Sequence, residues 1–99
     1  MELSFIVSRM KSLWFKNEYV QPILSGDKKD TIRKSSNHLP KIGEEVELSV
    51  GPARVFAKAL ILSIAPIGAL SKEREQEVVK IYGSLENLVC VAFNITQRI

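Results

Sequence analysis

The alternation of apolar and polar positions divides the chain into short segments. In "KSLWFK" the two kinds alternate, and Trp14 and Phe15 favour extended backbone, so the segment predicts a strand. "NEYVQPILSG" follows, with Asn17 suited to an N-cap, Glu18 to a first turn and Gly26 to a stop. Pro22 removes a backbone donor, so this helix is expected to be short and to begin near Gln21. "KDTIRK" predicts a short strand, and "SSNHLPKIG" a loop of turn residues. In "EEVELSV" charge alternates with aliphatic residues, which sets Val46, Leu48 and Val50 on one face of a strand.

After the break "GPA", "RVFAKALILSI" predicts a long strand. It alternates at first and then becomes almost wholly apolar, so its second half is expected to be buried on both faces. Ser71 is placed to cap a helix over "KEREQEVVKIYG", with Glu73 and Glu75 near its positive end and Gly83 closing it. Val78, Val79 and Tyr82 make an apolar patch in its last two turns only. "NLVCVAFNIT" predicts a final strand that returns to the core.

The order is β, α, β, β, β, α, β. Helices do not alternate regularly with strands, which argues against a doubly wound parallel sheet. The expected fold is α+β: a small, mixed, mostly antiparallel β-barrel, closed or nearly so, with two or more flanking helices. The 99 residues, 45% of them hydrophobic, suit one domain with one modest core. Met10 opens a second plausible start, "MKSLWFK", so residues 1–9 read as an extension.

The single cysteine, Cys90, cannot form an internal disulfide, and with His38 as the only histidine a Cys/His zinc site is not expected. No cofactor is expected either. The longest apolar run, "ALILSIAPIGAL", is too short to span a bilayer, and the N-terminus makes a poor signal peptide. The expectation is a cytoplasmic monomer.

A net charge of +3 and a pI of about 9.2 permit a polyanion partner. The cations are uneven. Residues 9–34 hold Arg9, Lys11, Lys16, Lys28, Lys29, Arg33 and Lys34 against Glu18, Asp27 and Asp30. At their centre is "SGDKKDTIRKSS". In a strand Thr31 and Arg33 share a face, and Ile32 is expected to point the other way, into the core. Lys28 stands at the strand's mouth. A base, a hydroxyl and a guanidinium can then surround one pocket, where Arg33 would hold a phosphate or carboxylate bidentately. A desolvated lysine can also activate a threonine hydroxyl, with a glutamate passing a proton to a leaving amine. The plain alternative is that Lys28, Lys29 and Lys34 are solvated charges and Thr31 is a strand former. Trp14 and Tyr19 can stack on a base, although a tryptophan at such a strand position is more often core.

"YVQPILSGDKKDTIRK", then "PKIGEEVELSV", then a long aliphatic strand, resembles the ASCH domain family over residues 10–96. These domains are PUA-like β-barrels related to RNA-binding modules. The matched positions are Gly26, Lys28, Thr31 and Arg33, with Lys41, Gly43, Glu44 and Val46 at the following turn. The resemblance implies a cleft beside the barrel that binds RNA or a nucleotide, served by Lys16, Gly26, Lys28, Lys29, Thr31, Arg33 and Lys34. Some small bacterial members that the chain resembles are amidohydrolases that deacetylate N4-acetylcytidine, using a Lys, a Thr and a Glu together. By position these would be Lys28 and Thr31, with Glu77 or else Glu73 as the acid. Other members are ribonucleases. Binding is the leading expectation, the amidohydrolase the alternative and the ribonuclease a weaker one. With no carboxylate cluster typical of a metal site, cleavage would be metal-independent.

Overall fold

The computed structural model describes residues 10–67, 72–84 and 86–99, so the expected extension and the Ser71 cap lie outside the described residues. The elements are β1 (Ser12–Trp14), a 3₁₀ turn (Asn17–Tyr19), α1 (Val20–Ser25), β2 (Asp30–Lys34), β3 (Glu45–Val50), β4 (Arg54–Pro66), α2 (Lys72–Tyr82) and β5 (Leu88–Arg98). Their order is the one that the hydrophobic pattern predicts.

The strands form one sheet in the order β1-β3-β4-β5-β2. β1 runs parallel to β3, with Leu13 opposite Leu48, and every other pair is antiparallel. The fold is therefore α+β with a mostly antiparallel sheet. It is a half-barrel rather than a closed one. β1 and β2 are the two edges and share no ladder, yet the sheet curls until the Arg33 Nη2 on β2 donates to the Trp14 carbonyl on β1 at 2.6 Å. One side chain spans the seam that backbone pairing leaves open.

The core sits inside this curl. Leu13, Phe15, Val46, Leu48, Phe56, Ile61, Val91 and Phe93 are buried there, joined by Val20 and Ile23 of α1. The Phe15 ring meets Phe56 and Phe93 edge-on, at centroid distances of 6.3 and 6.1 Å. Each such burial stabilises the fold by about 1.5–3 kcal/mol from transfer alone. Phe15 thus anchors the segment that carries Trp14 and Lys16.

Four expectations are corrected. Val50 is only half-buried, because a register shift between Leu48 and Ser49 rotates the strand and buries Ser49, whose hydroxyl donates to the Gly51 carbonyl at 2.9 Å. The second half of β4 is not doubly buried. β3 pairs with β4 only as far as Leu60, so residues 63–66 pair with β5 alone, and Leu62, skipped at a register shift between Ile61 and Ser63, is exposed. Ile32 is half-buried and does not join the core cluster; Thr31, opposite the fully buried Val91, is the residue that turns inward. Trp14 is not core: it is 53% exposed, between the buried Leu13 and Phe15.

Candidate nucleotide-binding cleft

α1 is a single short helix because its ends are set locally. Pro22 lies in the first turn, where its missing N–H costs no helical bond. Asn17 does not cap; its side chain accepts from Arg54 instead. Gly26 ends the helix at φ +89°, a left-handed conformation that glycine adopts without strain, and its N–H donates to the Ile23 carbonyl. The following turn is fixed on both sides of Lys28. The Lys28 N–H donates to the Pro22 carbonyl at 2.9 Å, and the Lys29 carbonyl accepts from the Phe93 N–H at 3.0 Å. The Lys28 stem therefore leaves a rigid turn at the head of β2.

A cleft of about 280 Å³ opens beside this turn, at the small end of the range for ligand pockets. Trp14, Phe15, Lys16 and Tyr19 form one wall, and Lys28, Thr31, Ile32 and Arg33 the floor. Arg74, Val78, Ile81 and Tyr82 of α2 form the other wall. Lys16, Lys28, Arg33 and Arg74 all line the cleft, with no aspartate or glutamate among the lining residues. The cleft thus sets cationic side chains beside aromatic and apolar ones.

Arg33 organises the floor. Its guanidinium carbon lies 4.8 Å from the Phe15 ring centroid, its Nε donates to Thr31 Oγ1 at 3.2 Å, and its Nη2 holds the Trp14 carbonyl. Burial pulls its pKa down, but a guanidinium stays protonated at any working pH. Thr31 accepts from Arg33 and keeps its own O–H to donate. Among the described residues it is one of two buried polar ones, at 6% exposed.

Lys28 is half-buried, with Nζ 5.1 Å from the Tyr19 ring centroid. Desolvation holds its pKa below the ordinary 10.5; Asp30 opposes this, and Arg74 and Arg33 reinforce it. α2 is fastened to β2 by the Arg74–Asp30 ion pair at 3.1 Å and by the Tyr82 hydroxyl, which donates to the Ile32 carbonyl at 2.8 Å.

The residues singled out from sequence divide between several places. Lys16, Lys28, Thr31 and Arg33 meet in the cleft. Gly26 and Lys29 line adjoining surface grooves. Lys34 is exposed at the end of β2 and does not line the cleft. Glu77 and Glu73 are exposed on α2 and do not line it either. The turn matched by Lys41, Gly43 and Glu44 has an architectural role. The Glu44 carboxylate accepts the Lys41 N–H at 2.9 Å and pairs with Lys11, which together hold its pKa low. Arg74, Ile81 and the Tyr82 hydroxyl were not singled out. α2 brings them to the cleft from some forty residues away, with only the Arg74-Val78-Ile81-Tyr82 spacing as a signal.

No protein-family model matches the chain, and no curated protein matches it. Among solved structures it is similar to protein EF3133 from Enterococcus faecalis V583, assigned to the family DUF984. The TM-score is 0.65 at 19% identity, over 94% of this chain and 84% of that one. The likeness is one of fold. Among the described residues no helix is long and apolar enough to cross a membrane, and no three metal-ligating side chains converge.

Proposed function

We propose that this protein is a binding module of the ASCH type whose cleft takes RNA or a nucleotide, with the base against Trp14 and a phosphate on Arg33 and Lys28. The observation that carries this reading is the cleft's composition: four cations and an exposed tryptophan, with no lining carboxylate. Paired phosphate and aromatic contacts are how such ligands are held. The sequence resemblance around Gly26, Lys28, Thr31 and Arg33 and the small half-barrel fold support the same reading.

A second reading, deacetylation of N4-acetylcytidine, is favoured by one feature. Desolvation lowers the pKa of the Lys28 amine, which is the direction that a general base needs. That chemistry also needs an acid, and Glu77 and Glu73 do not line the cleft. Binding is therefore the conclusion. The test pairs nucleotide affinity with acetate release from N4-acetylcytidine. Arg33→Ala is expected to weaken nucleotide binding by about 1–3 kcal/mol, and the wild type to release no acetate. Release that Lys28→Arg abolishes would replace the binding module with an enzyme. Affinity indifferent to Arg33→Ala would remove the cleft as the site.

A further inference from the structure

The cleft is not the only basic hollow at this end of the molecule. A second groove, of about 260 Å³, lies between the end of α1 and the C-terminal half of β5. Lys28, Lys29 and Arg98 line it, again without a carboxylate, over an apolar floor that includes the buried Phe93. Arg98 is held in place there, with its Nη2 donating to the Leu24 carbonyl at 2.6 Å. Between groove and cleft is a shallow depression lined by Gly26, Asp27, Lys28, Lys29, Asp30 and Arg74. Asp30 is paired with Arg74 in that depression. Lys28 borders all three hollows, so cations recur from Arg33, over the Lys28–Lys29 turn, to Arg98, and outnumber the Asp27 and Asp30 carboxylates between them.

A single nucleotide has no use for the second groove. We infer that the natural ligand is a single-stranded polynucleotide: one base enters the cleft, and the backbone crosses the Lys28–Lys29 turn to lay a neighbouring phosphate against Lys29 and Arg98. This rests on the cleft being a nucleotide site. A single strand is required because a base reaches Trp14 only when it is free of a pairing partner and a stacked neighbour. A cationic track beside an aromatic platform is the general design of such surfaces.

The test measures anisotropy of labelled ligands at several salt concentrations. The ligands are a mononucleotide, single-stranded RNA and DNA oligomers of about eight nucleotides, and the RNA as a duplex. The single strands should bind more tightly than the mononucleotide and the duplex; comparing RNA with DNA reads whether a 2′-hydroxyl matters. Arg98→Gln and Lys29→Gln should each weaken oligomer binding several-fold, lower its salt slope by about one, and leave mononucleotide affinity unchanged. Arg98→Lys should restore most of the loss, and thermal unfolding checks that each variant is folded. Oligomer affinity untouched by both glutamine substitutions, or a duplex bound as well as the single strand, would overturn the inference and leave the cleft reading standing. Mononucleotide binding indifferent to Arg33→Ala would fell the cleft reading itself, whatever Arg98 does. Failure of every ligand to bind at low salt would overturn both.

Discussion

Trp14 and Phe15 are chain neighbours of similar chemistry and opposite duty. Phe15 is packed among Phe56, Phe93 and Arg33, while Trp14 stands more than half exposed at the cleft. Substitution should separate them. Phe15→Ala should cost about 3–5 kcal/mol of stability. Trp14→Ala should change stability by no more than about 0.5 kcal/mol, because the Arg33 bond goes to the Trp14 backbone. It should instead cost about 1–3 kcal/mol in nucleotide binding through lost stacking; denaturant melts and titrations on both variants check the pair. Lys28 sets the pH dependence. Its pKa in the free protein lies below 10.5, and an anion favours its charged form. Affinity should therefore hold at neutral pH and fall as pH rises through that lowered value, with proton uptake on binding in the same window. Lys28→Arg should flatten the profile. At this scale the juxtaposition of Thr31 and Arg33 was legible because two-residue spacing fixes a shared strand face, and Lys28 because it stands at the mouth of that strand. The inward turn of Thr31 was not, since it depends on the register of β2 against β5.

The elements were legible nearly throughout, because turn residues punctuate the chain. Gly26 shows how such a residue serves the site. An added methyl group would meet nothing within 4 Å there, so only the left-handed φ of +89° opposes a substitution. Gly26→Ala should cost about 1–2 kcal/mol of stability, the ordinary penalty of that conformation, as read by urea unfolding. It should also weaken binding, since the turn that aims Lys28 begins at this residue. The apolar second half of β4 misled for a physical reason: hydrophobicity reports a wish for cover, and whether a neighbouring strand is long enough to supply it is a tertiary fact. α2 is the opposite case. Its first turns carry no apolar residue to mark an inward face, yet Arg74 crosses to Asp30 and makes part of the cleft wall.

At the scale of the whole molecule, the open seam of the half-barrel and the cleft are one feature. The sheet forms no ladder between its edges β1 and β2, Arg33 ties them together, and the same guanidinium lines the cleft. A modest net charge of +3 becomes a local concentration of cations because the N-terminal third and α2 meet at that seam. The protein has a single tryptophan, and it lines the cleft, so its fluorescence reports the site with no added label. Titration of that fluorescence with a short single-stranded RNA at low salt is the most direct measurement. The expected result is saturable quenching, as a base stacks on the indole, with affinity that falls steeply as salt rises and with the change lost in Arg33→Ala. No saturable change at low salt, or quenching that persists undiminished in Arg33→Ala, would contradict a nucleotide site in this cleft.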